Sequence, residues 1–196
     1  MLIGGFLLGS GRQSCVVSNP ANDNQVIKVY RGEIEELEEE MVISRFLRKI
    51  DPEERRFVAS HGFRYLTLEE LEREFPSVYK DFMDCNEEQW IYEPIPKGVV
   101  ISYMTRLSEA PERFSPAEKA HLEESITLLN KDAVHGDIHP RNIMMHGRDP
   151  VFIDWGLSKM HEGNEMSALE DAYETMRQIQ EKNVRKSSKR SRSIFE

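Results

Sequence analysis

Residues 135–142 read His-Gly-Asp-Ile-His-Pro-Arg-Asn, and Val151-Phe152-Ile153-Asp154-Trp155-Gly156 follows, so Asp154 comes only 17 residues after Asp137. This spacing constrains the chain more than any other feature. Gly136 and Pro140 oppose a helix through the first stretch. Ile143-Met144-Met145 and Val151-Phe152-Ile153, on either side of His146-Gly147-Arg148-Asp149-Pro150, predict a hairpin. Two acids and an amide (Asp137, Asp154 and Asn142) therefore stand at the spacing of a phosphotransfer site. His135 and His139 also have the i, i+4 spacing of a helical zinc pair, but the glycine and proline oppose that helix and no third ligand is evident.

The rest of the chain predicts one α+β domain, because 196 residues can bury one core, hiding roughly 70% of the unfolded surface. Residues 3–8, 14–18 and 26–30 predict three antiparallel strands, the first two flanking Gly9-Ser10-Gly11. From Glu33 to about Ile50 the pattern turns helical, with Leu37, Met41, Phe46 and Leu47 among charges, until Asp51-Pro52 stops it. Residues 51–89 predict a polar connection, a short helix over 67–75 and a loop holding Cys85. A hairpin of 89–92 with 98–104 completes a five-stranded sheet with one helix. Ser115-Pro116-Ala117-Glu118 predicts a capped helix start, with Leu122, Ile126 and Leu129 at helical spacing behind it. Leu169, Ala172, Tyr173, Met176 and Ile179 predict a last amphipathic helix, and the tail beyond about Lys182 is too polar and basic to fold alone.

A net charge of −9 argues against a generally nucleic-acid-binding surface. Six glutamates fall within residues 33–40, while Arg185, Lys186, Lys189, Arg190 and Arg192 make the far end basic. Cys15 and Cys85 have no metal-ligand spacing and are expected to stay thiols in a reducing compartment. The apolar start lacks a basic leader region and is broken by glycines, and no stretch of about 18 apolar residues occurs, so neither a signal peptide nor a membrane span is expected.

The pattern His-x-Asp-x-x-x-x-Asn, followed by hydrophobics-Asp-aromatic-Gly, resembles the catalytic loop and metal-binding pair of the protein-kinase-like superfamily. Gly9-Ser10-Gly11-Arg12-Gln13-Ser14-Cys15-Val16 resembles its glycine-rich loop, with Ser14 in place of the third glycine, although a plain turn between two strands would look the same. Lys28, in Val-Ile-Lys-Val, is similar to the strand lysine that holds the α- and β-phosphates. The resemblance implies that Lys28 pairs with a helix glutamate, for which Glu40 is chosen over Glu36 and Glu39 because Met41, Ile43 and Leu47 would turn that face inward. It implies that Asp137 takes the proton of the attacking hydroxyl, that Asn142 and Asp154 hold Mg2+, and that His139 touches the γ-phosphate or is simply a satisfied loop histidine. Gly9, Ser10, Gly11, Ser14, Val16, Lys28, Ser102 and Met104 are the residues implied to hold ATP.

His-Gly-Asp-Ile-His-Pro-Arg-Asn is closer to aminoglycoside phosphotransferases and atypical kinases than to ordinary protein kinases, and Ile-Asp-Trp-Gly-Leu-Ser is similar to the small KEOPS-complex kinase family and to kinases of large DNA viruses. The implied fold is bilobal. Residues 1–104 form an N-lobe of five antiparallel strands and one helix, 105–182 a reduced helical C-lobe, and 183–196 a basic tail. Gly136 stands where regulated kinases carry the arginine that pairs with a phosphorylated activation loop. Only 40 residues follow Gly156, with no Ala-Pro-Glu among them, so a protein substrate or partner subunit is expected to supply the missing C-lobe surface. The implied activity is an ATP- and Mg2+-dependent serine/threonine kinase of atypical type. The alternatives are a kinase-fold ATPase or pseudokinase subunit, or a small-molecule phosphotransferase. The basic run 184–192 could contact nucleic acid through phosphates, and the expected setting is cytoplasmic, the host cytoplasm or virion if viral.

Overall fold

The structure is a computed structural model that describes residues 7–10, 14–31, 37–85 and 95–161. Within these residues five strands form one antiparallel sheet. They are β1 (Leu7–Ser10), β2 (Ser14–Ser18), β3 (Gln25–Tyr30), β4 (His61–Thr67) and β5 (Gly98–Thr105), in the order β1-β2-β3-β5-β4. Around them lie the helices α1 (Glu38–Ile50), α2 (Leu68–Glu74), α3 (Pro76–Cys85) and α4 (Pro116–Leu129). Short strands β6 (Ser108–Glu109), β8 (Ile143–His146) and β9 (Asp149–Phe152) make a second sheet. The pair β7 (Ala133–Val134) and β10 (Lys159–Met160) makes a third.

Period-two alternation decides which side chains face which layer. Cys15, Val17, Ile27, Val29, Val99 and Ile101 form one face of the sheet and pack with Leu71, Val78 and Phe82 of α2 and α3. The intervening residues take the opposite face, where Tyr30 and Val100 meet Leu37 and Met41 at the start of α1. The register aligns Val16 with Lys28 and Lys28 with Ser102, so these three stand in one row across the strands, with Met104 opposite Val26.

Helix α1 has Glu38, Glu39 and Glu40 in its first turn and Arg48 and Lys49 in its last, each charge suited to its end of the helix dipole. It ends at Asp51, whose carboxylate accepts N–H bonds from Arg55, Arg56 and Phe57 at 2.7–3.2 Å. Its inner face, Val42, Ile43 and Leu47, packs with Phe57, Leu122 and Leu129 of α4, Phe152 and Trp155. The capping box of α4 is complete: Glu118 N–H donates to Ser115 Oγ at 3.3 Å and Ser115 N–H donates to the Glu118 carboxylate at 2.6 Å.

Several expectations change, and the one helix expected beside the sheet is joined within residues 37–85 by α2 and α3. The stretch 51–66, read as a polar connection, ends in a strand, β4, which pairs with β5; His61, Phe63, Arg64 and Tyr65 are half-buried and only Leu66 is fully buried, as suits an edge strand. The other hairpin arm expected at 89–92 lies outside the described residues, as do the helix over 169–179 and the basic tail. Cys85 closes helix α3 instead of lying in a loop, and it is joined to Cys15 in a disulfide, so neither is a thiol. A separation of 70 residues carries no pairing signal in a sequence; the contact arises because α3 lies across β2. No helix among the described residues is long and apolar enough to cross a membrane.

The segment after Asp51 is the seam between the two halves of the core. Phe57 bridges Phe152 in parallel register, Val58 N–H donates to Phe152 O at 3.0 Å and Phe152 N–H to Arg56 O at 2.9 Å. Glu54 is buried beside it, facing His61 at 2.7 Å and accepting from the Thr105 hydroxyl. Burial alone would raise its carboxyl, but His61 and Thr105 outweigh that and hold it below the usual carboxylate range.

Candidate active site

Lys28 projects from the middle of β3 onto the α1 face of the sheet, where its Nζ lies 2.9 Å from Glu40 Oε1 and 3.6 Å from Asp154 Oδ1. Both Lys28 and Glu40 are buried, whereas the Asp154 side chain is 56% exposed. Of the competing glutamates, Glu39 points to solvent and Glu36 lies outside the described residues. Burial works against the charge on Lys28, but Tyr30, Glu40 and Asp154 outweigh it and hold the ammonium above the usual lysine range. At neutral pH this is a fixed cation beside an open carboxylate.

The loop below is set by a chain of local bonds. His135 is buried, its Nδ1 accepts from Asp137 N–H at 3.3 Å and its Nε2 meets Ile153 O at 3.0 Å. A carbonyl only accepts, so Nε2 carries the proton and the ring is neutral. Asn142 closes the loop: its Nδ2 donates to Asp137 O at 3.0 Å and to Asp137 Oδ2 at 2.9 Å, which turns Oδ1 to the other side. Ile153 N–H in turn donates to Asn142 O at 3.0 Å, tying the loop to the residue before Asp154. His139 accepts from Arg141 N–H at 3.1 Å and caps the 3-10 turn Pro140–Asn142, so its Nδ1 has a local structural role.

Two backbone positions explain residue choices that motif matching leaves blank. Gly136 has φ of +79°, and a Cβ there would collide with the Leu157 carbonyl. The glycine that replaces the arginine of regulated kinases is thus demanded by the backbone. Asp154 has φ of +63°, a left-handed conformation that aspartate tolerates better than most residues and that is stored at functional sites. Behind it, Trp155 is buried, and its Nε1–H donates to Val58 O at 2.8 Å.

Burial pushes the His135 imidazole below its ordinary 6.5, against the pull of Ile153 O and the nearby Asp154 and Asp137. Between the lowered native value and 6.5 the unfolded chain binds more protons than the folded one, so stability rises with pH across that window. Chemical denaturation at pH 7.5 and at pH 5.5 is expected to show a loss on acidification (both about one unit from the ordinary histidine value). The loss should shrink in His135→Gln, which has no ionisable group.

The sequence-derived residues thus fall into two groups that the fold brings together, Lys28–Glu40–Asp154 and Asp137–Asn142. Val16, Ser102 and Met104 share the sheet face of Lys28. Gly9 and Ser10 lie in β1 and Ser14 opens β2, whereas Gly11 is outside the described residues. Sequence reasoning missed Tyr30, Ser60 and the backbone of Val58; Tyr30 alone carried a signal, standing two places from Lys28 and so on the same face.

Asp154 and Asn142 offer hard oxygen donors, the Asp154 carboxylate lying beside the Lys28 cation. This suits Mg2+, which takes one or two carboxylates and completes its shell with phosphate and water oxygens. No group of three or more His, Cys, Asp or Glu able to cage a metal occurs among the described residues, and that mode of binding needs none.

Residues 99–161 match the phosphotransferase enzyme family, APH. A subunit of the EKC/KEOPS complex of Schizosaccharomyces pombe is 30% identical over 100 residues, a stretch covering 48% of this chain and 41% of that protein. The matched stretch, 99–161, contains the whole Asp137–Asn142–Asp154 group. It begins at the second residue of β5, so Lys28 and Glu40 are joined to it by the fold.

Proposed function

We propose that the protein is an ATP- and Mg2+-dependent phosphotransferase of atypical serine/threonine kinase type. The observation that carries the reading is Lys28 held between buried Glu40 and open Asp154, with the Asp137–Asn142 pair tied to the same strand end. Lys28, fixed by Glu40, binds and orients the α- and β-phosphates, and Val16 and Met104 line the nucleotide, with Ser102 buried in the same row. Glycines 9 and 11 let backbone amides approach phosphate. Asn142 and Asp154 would hold magnesium, which supplies neutralisation of the charge on the phosphate oxygens. Asp137, exposed and hydrogen-bonded to Asn142, receives the proton of the acceptor hydroxyl as its oxygen attacks the γ-phosphorus and the bond to the β–γ bridging oxygen breaks, releasing ADP. Residues 1–104 act as the nucleotide lobe and 105–182 as the acceptor lobe, with 183–196 a basic extension.

A second reading, a kinase-fold ATPase working inside an assembly, is favoured by the relative that is a complex subunit. In either case a partner subunit is expected beside the site, as for the relative that belongs to a complex. Incubation with ATP labelled at the γ-position, with and without Mg2+, separates the two. Label on serine or threonine of added protein supports the kinase, and free phosphate alone supports the ATPase. ATP that stays intact would remove both.

A further inference from the structure

Glu40 does not hold Lys28 unaided. The same Oε1 that meets Lys28 at 2.9 Å lies 2.7 Å from Tyr30 Oη, and Tyr30 Oη is also 3.1 Å from Ser60 Oγ and 3.3 Å from Ser102 Oγ. Ser102 donates to Ser60 at 3.1 Å. A carboxylate can only accept, so the Tyr30 hydroxyl gives its proton to Glu40 and receives one from a serine. The donors then run in one direction, Ser102 to Ser60 to Tyr30 to Glu40, with Lys28 closing the far side. Tyr30, Ser60 and Ser102 are each at most 1% exposed, so no water competes and each bond polarises the next. Burial and the Glu40 carboxylate, against the pull of Lys28, keep the phenol protonated well above the usual tyrosine range. The ring also places its face 4.8 Å from Lys28 Nζ.

We infer that Tyr30 is a positioning residue: its hydroxyl, backed by Ser60 and Ser102, locks Glu40 of α1 against Lys28 and so keeps the site assembled in the unmodified chain. In regulated kinases the corresponding helix is brought in by activation-loop phosphorylation. Here the lock is internal, and Gly136 leaves no arginine at the position that would read a phosphate. The inference rests on the phosphotransfer reading for its effect on turnover, but the lock itself is a statement about Lys28 and Glu40.

The test uses the full chain in four forms, wild type, Tyr30→Phe, Ser60→Ala and Lys28→Met. Three quantities are read: thermal midpoint, steady-state turnover of Mg2+-ATP, and the nitrogen NMR signal of the Lys28 ammonium, assigned by its loss in Lys28→Met. Tyr30→Phe keeps the ring and removes only the hydroxyl. Its turnover number is expected to fall about tenfold, the worth of one hydrogen bond to a charged group, while KM for ATP moves less than about threefold. The Lys28 signal should shift or broaden as Glu40 loses its second anchor. Ser60→Ala removes a buried hydroxyl one step back but leaves the Tyr30–Glu40 bond, so its turnover should stay within about twofold. Equal losses of turnover in the two variants, in proportion to their thermal shifts, would reduce Tyr30 to a packing role and overturn the inference. So would wild-type turnover in Tyr30→Phe. If the wild type itself turns over no ATP, the phosphotransfer reading fails, and the lock is then decided by the lysine signal, with an unmoved signal in Tyr30→Phe overturning it.

Discussion

Asp137→Asn is expected to leave the fold intact and to lower the turnover number by about 10²–10⁴-fold, the usual range for removing a general base. The fold should survive because Asp137 is exposed, and asparagine keeps an oxygen that can accept from Asn142 Nδ2, as the Oδ2 now does at 2.9 Å. What disappears is the ability to take up the acceptor proton. Of the residues proposed to hold the nucleotide and its metal, only Asn142 touches Asp137, and asparagine keeps that bond, so KM for ATP should change little. A fall in the turnover number alone, read from steady-state kinetics, marks an interaction used in the transition state. Activity within tenfold of wild type would show that another group takes the proton.

Trp155→Ala is expected to destabilise the protein by about 3–5 kcal/mol, the range for truncating a buried aromatic side chain. Trp155 is 1% exposed, meets Phe57 edge-on with ring centroids 5.8 Å apart, and lies 4.5 Å from the His135 ring. Its Nε1–H is also the donor for Val58 O, so alanine leaves a cavity and a buried carbonyl without that partner. Domains of this size commonly have about 5–15 kcal/mol in total, so the loss should lower the thermal midpoint by roughly 10 °C. Trp155→Phe keeps most of the ring and should recover the larger part. The same variants test how Asp154 is held, because Trp155 anchors the chain immediately after it.

The loop at 135–142 and the aspartate after it were legible because their geometry is set locally. Gly136, Asp137, Asn142 and Asp154 lie within 19 residues, and each is set by bonds to near neighbours or to the adjoining hairpin. The start of α4 was legible for the same reason, since a capping box is written in four consecutive residues. Glu40 was distinguishable from Glu39 by helical period alone, since the apolar residues that follow it turn its face inward. What stayed hidden depends on partners far along the chain. His61–Thr67 pairs with β5 across about 30 residues of sequence, and the Cys15–Cys85 disulfide joins elements that only the packing of α3 brings together. The seam at residues 56–58 works through backbone groups, which leave no mark on side-chain composition. Tyr30 lay between these cases: its place beside Lys28 was implied by strand period, but its partners are Ser60, just before β4, and Ser102, in the middle of β5.

Binding of ATP in the presence and absence of Mg2+, compared between wild type and Asp154→Ala by equilibrium dialysis, tests most directly whether Lys28, Glu40, Asn142 and Asp154 form a nucleotide–metal site. Asp154 is exposed and its removal spares the buried Lys28–Glu40 pair. The variant should fold, and it should lose the tightening that Mg2+ gives to the wild type. Mg2+-dependent binding that is identical in wild type and Asp154→Ala, or no ATP binding by wild type under either condition, would contradict it.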